Sequence, residues 1–262
     1  MVSLLFHFNS DFIKREMFKR FVLILLLART AQAQPTFLLQ QLKYPKVAAA
    51  KKEKGGIVHD KLIRSGIDSA GFSALIRIFK AEKTLELWLK NKGKEEYFKY
   101  ETFPICANSG NLGPKRREGD LQVPEGLYIV NFFNAFSDYY LGMQINYPNA
   151  SDLVLGKKPY GGQILIHGNC VTIGCIPITD ALIKELYLVC LYSKGQGHDV
   201  RVQIFPFRMD ADKLEKAGKI CTVETLDFWK NLKPFYDCFN EKKIFPNYII
   251  DKSGRYEILG KK

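Results

Sequence analysis

The chain has 262 residues, 47% of them hydrophobic and 13% aromatic, which suits a globular protein with a sizeable core and excludes a low-complexity or repeat protein. Its net charge of +12 is spread over many lysines rather than held in one block. No nucleic-acid-binding motif accompanies this charge, so we expect no nucleic-acid partner. A basic chain is instead attracted to anionic lipids, polysaccharides or peptides with free carboxylates.

Residues 1–33 are expected to be a secretory signal peptide. A short basic stretch precedes an apolar run of eight residues, and Ala31-Gln32-Ala33 supplies the small residues that a signal peptidase requires. The apolar run is too short for a stable bilayer anchor. The signal is complete from Met17, so a start there would suffice. We therefore expect an exported mature chain from about Gln34, located in the periplasm or cell envelope, without a membrane span. Residues 1–33 hold five basic and two acidic side chains, so this mature chain would keep a net charge of +9.

The mature chain is predicted to be one β-rich α+β domain with helical segments at each end. Residues 34–73 should form a helical extension in which Gly55-Gly56 breaks the first helix and a second short helix follows. Alternating residues predict a hairpin at 75–80 and 85–89. Further strands are predicted at 94–105, 127–133, 139–147, 163–166 and 200–206.

Beyond these strands the periodicity is mostly helical. Thr179 or Asp180 should cap a helix that runs through Cys190, and Pro177 should prevent regular structure just before it. Two more helices and a small strand pair are predicted in the C-terminal extension, 207–262. The expected division is therefore a signal peptide, an N-terminal extension, a central domain at 74–206 and this C-terminal extension.

The segment Ile166-His167-Gly168-Asn169-Cys170-Val171-Thr172-Ile173-Gly174-Cys175 carries the chemistry. His167 ends an apolar strand, and Cys175 follows eight residues later behind a glycine. A nearby imidazole can generate the thiolate that acts as a nucleophile. Backbone amides around Gly174 could hold the oxyanion of a tetrahedral intermediate. A buried histidine beside an inert thiol is the alternative that residue types alone leave open.

The cysteines allow other interpretations. His167, Cys170 and Cys175 could be zinc ligands, with His198 as a fourth, but structural zinc sites favour paired short spacings that are absent here. We therefore expect neither metal nor cofactor. Cys106 and Cys190 lie in apolar patterns and are predicted to be core residues. Cys221 and Cys238 could form a disulfide, which export would permit.

This segment resembles the active-site motif of the YkuD-type L,D-transpeptidase family, in which His-Gly is followed by Ser/Thr-x-Gly-Cys. The short gap and the extra Cys170 are similar to the YafK-like murein L,D-transpeptidase branch. Gly119-Asp120 and Pro124-Glu125-Gly126-Leu127-Tyr128 resemble a second family element upstream. The resemblance covers about 74–206 and implies the L,D-transpeptidase catalytic fold, with helices flanking it.

The resemblance implies a peptidoglycan enzyme that acts on stem peptides through a cysteine acyl-enzyme. Cys175 matches the nucleophile, His167 the proton donor and acceptor, Gly174 the turn residue and Thr172 the residue that supports the loop. An amine acceptor would give a cross-link, whereas water would give hydrolysis by an L,D-amidase, including release of a wall-linked lipoprotein. The family often has histidine and arginine at the positions of Ile173 and Pro177, which puts carboxylate recognition here in question.

Two residues are candidates for substrate binding. Arg116, in the basic loop Lys115-Arg116-Arg117, could contact stem-peptide carboxylates, and Tyr160 could line the cleft with Tyr139 and Tyr140. A solvated basic loop and ordinary packing of the tyrosines are the alternatives. A secreted cell-wall-binding module without catalysis is the competing function.

Overall fold

The computed structural model describes residues 33–67 and 71–260, so the predicted signal peptide lies outside the described residues except for Ala33. The helices and strands follow in chain order: α1 Ala33–Gln41, α2 Pro45–Arg64, β1 Phe72–Phe79, β2 Thr84–Asn91, β3 Phe98–Pro104, β4 Gly126–Asn134, β5 Gly142–Ile145, α3 Ala150–Leu155, β6 Leu165–His167, β7 Ile176–Pro177, α4 Asp180–Gly195, β8 Arg201–Phe205, α5 Ala211–Gly218, α6 Val223–Lys242, β9 Tyr248–Ile250 and β10 Tyr256–Ile258. The predicted mixed, β-rich fold is confirmed.

Eight of these strands form one sheet in the described part of the chain. Their order is β3-β2-β1-β8-β4-β5-β6-β7, and β9 and β10 pair separately. Neighbouring strands are antiparallel except for β1 with β8 and β6 with β7. The strand that ends in His167 therefore lies next to the last strand of the sheet, which begins directly after Cys175.

The central strands are buried on both faces, which explains their nearly continuous hydrophobic sequence. Side chains alternate between the two faces of a strand. Ala74, Ile76 and Ile78 join the core formed with α2 and α4, whereas Phe79 joins the core formed with α6. The N-terminal and C-terminal helices therefore complete the two cores on which the sheet depends.

The prediction of a helix break at Gly55-Gly56 was wrong. The helix α2 runs unbroken from Pro45 to Arg64, with Val47, Ala50, Val58 and Leu62 buried. Two glycines cost roughly 1 kcal/mol each in a helix interior, which apolar packing against the core can exceed. Tertiary packing therefore overrides the local signal. No helix among the residues described is both long and apolar enough to span a bilayer.

Two short elements depart from the predictions. Pro177 was expected to prevent regular structure, yet Ile176–Pro177 forms β7. Because β7 is the last strand in the sheet, the missing N–H of Pro177 does not interrupt an internal ladder. Its carbonyl accepts a bond from the Cys106 N–H at 3.1 Å. The helix α3 was not predicted and begins with a reciprocal capping box between Asn149 and Asp152.

Candidate active site

His167 is fully buried at the end of β6 with one ring nitrogen engaged. Its Nδ1 donates to the Gly168 carbonyl, which leaves the Nε2 lone pair as the acceptor. Nε2 is buried and has no hydrogen-bond partner in the described part of the chain. The Tyr139 ring lies against the imidazole, with centroids 4.7 Å apart. Burial lowers the pKa of His167, which favours the neutral ring whose free nitrogen can accept a proton.

The Cys175 thiol lies beside the backbone that leads into His167. Its Sγ accepts the Leu165 N–H at 3.4 Å and lies 3.9 Å from the Gln163 carbonyl. Leu165 is two residues from His167 in the same three-residue strand. Burial raises the pKa of the thiol, while the Leu165 N–H and the charge of Lys115 act in the opposite direction. Burial therefore favours a neutral thiol beside a neutral imidazole.

Thr172 organises the turn before Cys175. Its hydroxyl accepts the Gly174 N–H at 3.1 Å and donates to the Cys175 carbonyl at 2.8 Å. Gly174 has φ of +141°, where a side chain would be strained, and an added Cβ would lie 3.2 Å from the Gln122 carbonyl oxygen. Because the Gly174 amide is already bonded to Thr172, the Cys175 amide is the better candidate for holding an oxyanion.

Asp180 joins the histidine loop to a helix, a role that the sequence analysis missed. Thr179 or Asp180 was expected to cap α4; Thr179 occupies the N-cap position, and the Asp180 carboxylate accepts the Asn169 N–H at 2.7 Å. Gly168 lies against the same carboxylate, since an added Cβ would approach Asp180 Oδ1 to 2.6 Å. A side chain directly after His167 would therefore displace this carboxylate from its bond to Asn169. The only signal in the sequence was the ordinary preference for an acidic residue in the first turn of a helix.

Asp120 folds the basic loop onto itself and is the second residue that sequence reasoning did not assign. Its two oxygens accept bonds from Lys115 Nζ and from the backbone N–H groups of Arg116, Arg117 and Gln122, at 2.6 to 3.0 Å. The Lys115 side chain is buried in consequence, whereas the alternative of a solvated basic loop describes the exposed Arg117. Its ammonium group is near enough to Cys175 to favour the thiolate. The motif Gly119-Asp120 was the available signal.

Arg116 and Tyr160, the two candidates for substrate binding, both contact α3. The Arg116 guanidinium lies over the Phe228 ring at 4.5 Å and 3.7 Å from the Asp152 carboxylate. It therefore links the basic loop to α3 and α6. The Tyr160 hydroxyl donates to the Leu153 carbonyl at 2.9 Å, which fixes it to α3. Tyr160 also borders an open cavity that includes Glu118 and Gly161.

Cys106 and Cys170 form a disulfide. Cys106 is exposed, so the prediction that it is a core residue was wrong. The disulfide joins the segment after β3 to the loop between His167 and Cys175. It also removes Cys170 from the alternative zinc site. Cys175, Cys190, Cys221 and Cys238 are free thiols, so the suggested pairing of Cys221 with Cys238 is not present. Cys190 is buried in the core, as predicted.

Comparison with known proteins agrees with the motifs. The sequence model of the YkuD family, which is the L,D-transpeptidase catalytic domain, matches residues 73–204. The chain is 39% identical over 191 residues to a protein of Escherichia coli K12 named "Putative L,D-transpeptidase YafK", an alignment that covers 72% of this chain and 74% of the relative.

Solved structures are similar at lower identity. A variant of the helical cell shape determining protein Pgp2 from Campylobacter jejuni aligns with a TM-score of 0.44 at 22% identity, covering 70% of this chain and 63% of that one. Bd1075 from Bdellovibrio bacteriovorus aligns with a TM-score of 0.39 at 22% identity, covering 65% and 58%. On the family-model match and the E. coli relative, the chain belongs to the YkuD family of L,D-transpeptidase catalytic domains.

Proposed function

We propose that this protein is a cell-envelope L,D-transpeptidase that uses Cys175 as its nucleophile on peptidoglycan stem peptides. The observation that carries the proposal is the position of the Cys175 thiol against the backbone of β6, two residues before a buried imidazole with an unpartnered nitrogen. Family membership supplies the substrate class. Export through the predicted signal peptide would bring the enzyme to that substrate.

The reaction begins with a proton transfer between two neutral groups. As Sγ attacks the carbonyl carbon of an L,D peptide bond, its proton passes to His167 Nε2 and the S–C bond forms. The backbone N–H of Cys175 would stabilise the oxyanion. The C–N bond then breaks, and His167 returns the proton to the departing D-amino acid. A thioester at Cys175 remains.

A second nucleophile then resolves the thioester, with His167 as the base. An amine of another stem peptide gives a new amide bond and a cross-link, whereas water gives a free carboxylate. We propose the amine as the acceptor, in keeping with family membership. Val171 and Ile173 are exposed in the loop that precedes Cys175. We propose that they contact the incoming peptide.

Acylation by a carbapenem tests the nucleophile directly. We expect intact-protein mass spectrometry to show one covalent adduct on the wild type and none on Cys175→Ala. Cys238→Ala is a matched control, since Cys238 is also a partly buried free thiol, and it should retain the adduct. An adduct that persists in Cys175→Ala would show that another residue is the nucleophile. A wild type that is never acylated and does not turn over tetrapeptide stems would favour a cell-wall-binding module.

Purified tetrapeptide muropeptides test the outcome of the reaction. We expect chromatography with mass analysis to show a cross-linked dimer and release of the terminal D-amino acid. Both products should disappear in Cys175→Ala and in His167→Gln. Shortened monomers without any dimer would show that the protein catalyses hydrolysis and not transpeptidation. The proposed role of Cys175 would be unaffected by that result.

A further inference from the structure

A second cavity, of about 700 Å³, lies at the end of the sheet where β1 and β8 begin and β2 ends. Its lining includes Ser73, Lys90 and Arg201 from the strands, with Phe245 and Tyr248 from the segment after α6. None of these residues takes part in the surroundings of Cys175 described above. The volume lies in the range of small-molecule sites and exceeds the space that a single inorganic anion requires.

The lining of this cavity is electropositive. Lys90, Lys92 and Arg201 contribute three cations, and none of them has a carboxylate partner within the described ranges. Asp199 is the carboxylate of the lining, but its Oδ1 is 2.6 Å from Lys194 Nζ, which lies outside the cavity. An uncompensated group of cations in a concave surface concentrates anions.

Aromatic rings hold two of these cations without neutralising them. The Arg201 guanidinium carbon is 4.6 Å from the Phe245 ring centroid, and Lys90 Nζ is 5.4 Å from that of Tyr97. A cation over a ring face is stabilised while its charge remains available to a ligand. The pKa of His198 is lowered, first by burial and then by the charges of Lys92 and Lys90, which is consistent with a positive field inside the cavity.

We propose that this cavity binds an anionic saccharide through its phosphate or carboxylate group. The Arg201 guanidinium and the ammonium groups of Lys90 and Lys92 take the oxyanion. Ser73, Asn247 and Tyr248 place hydroxyl and amide groups on the same lining, where they suit the hydroxyls of a sugar ring. The site would hold an acidic glycan component of the envelope apart from the catalytic thiol.

Isothermal titration calorimetry on the purified protein tests the proposal. The probes are N-acetylglucosamine 1-phosphate, glucuronate, neutral N-acetylglucosamine and inorganic phosphate. We expect one or both anionic sugars to bind. Comparing N-acetylglucosamine 1-phosphate with glucuronate shows whether the cavity prefers a phosphate or a carboxylate. Neutral N-acetylglucosamine should give no measurable heat, and inorganic phosphate should bind at least tenfold more weakly than the better anionic sugar.

Variants locate the binding. Arg201→Gln and the more exposed Lys92→Gln should each weaken the anionic sugar about tenfold or more, as expected for loss of a charged hydrogen bond. Lys94→Gln, a nearby exposed lysine outside the lining, should change the affinity less than twofold. The proposal is overturned if neither anionic sugar binds, if inorganic phosphate binds equally well, or if Lys92→Gln in a normally folded protein leaves binding unchanged.

Discussion

At the scale of single residues, burial shifts the pKa values of both proposed catalytic groups towards their neutral forms. It lowers the pKa of His167 and raises that of Cys175, and both shifts disfavour a preformed thiolate–imidazolium pair. Nucleophilic attack must then be coupled to proton transfer, which requires the Nε2 atom to be free. The bond from Nδ1 to the Gly168 carbonyl secures this tautomer.

The charge of Lys115 lowers the pKa of the Cys175 thiol, whereas burial raises it. In Lys115→Met we expect the pKa of Cys175 to rise further, because a charge that favours the thiolate is lost. Iodoacetamide labelling of Cys175, followed by peptide mass spectrometry across a pH series, should slow about three- to tenfold at pH 8, equivalent to half to one pKa unit. The midpoint of labelling should move to higher pH.

Charge and structure can be separated at this position. Lys115→Arg keeps the cation and should label close to the wild-type rate. Arg117→Gln alters an exposed side chain of the same loop and should also be neutral. A labelling midpoint that is the same in Lys115→Met and in the wild type would show that Lys115 serves only to hold Asp120.

At the scale of elements, the disulfide between Cys106 and Cys170 restrains the loop that carries the active-site motif. It closes a separation of 64 residues, and disulfides of this kind typically stabilise a protein by about 2 to 4 kcal/mol. In Cys106→Ser/Cys170→Ser we expect a lower Tm and slower carbapenem acylation, because the loop before Cys175 loses its covalent attachment to the segment after β3.

Reductant provides a second measurement of the same effect. Dithiothreitol should lower the Tm of the wild type and leave that of the double variant unchanged. Cys221→Ser/Cys238→Ser, which alters two free thiols, should respond to reductant as the wild type does. A wild type whose Tm is insensitive to reductant would contradict a stabilising role for the bond.

Most strands and helices were predictable because their periodicity agrees with their final burial. The hairpin of β1 and β2 and the helix α4 are examples. Local sequence signals gave wrong predictions where tertiary packing or position in the sheet determines the structure. Packing keeps α2 helical through Gly55-Gly56, and the sheet edge accommodates Pro177 in a strand. The motif indicated Cys175 and His167, but the pairing of Cys106 with Cys170 joins segments 64 residues apart that only the fold brings together. The partners of Asp120 are local, yet they depend on a loop conformation that periodicity does not predict.

At the scale of the whole molecule, a buried polar network joins the sheet, the basic loop region and α6. Lys80 Nζ donates to Glu125 and to the carbonyls of Gly113 and Val123, at 2.8 to 2.9 Å. The other Glu125 oxygen accepts the Trp229 indole N–H at 2.6 Å. Glu125 is fully buried, so each of these bonds compensates for lost hydration. The C-terminal extension is therefore part of what positions the loop preceding β4.

Trp229→Phe tests this coupling between the extension and the site. It keeps an aromatic ring in the core but leaves a buried Glu125 oxygen without its donor, which should cost about 1.5 to 3 kcal/mol in the free energy of unfolding measured with urea. Tyr236→Phe is the matched control: it removes a 3.0 Å bond to Asp210, an exposed carboxylate that water can solvate, and should cost under about 1 kcal/mol. Equal losses in the two variants would show that burial of Glu125 adds nothing to the Trp229 bond, and that the network does not couple α6 to the loop.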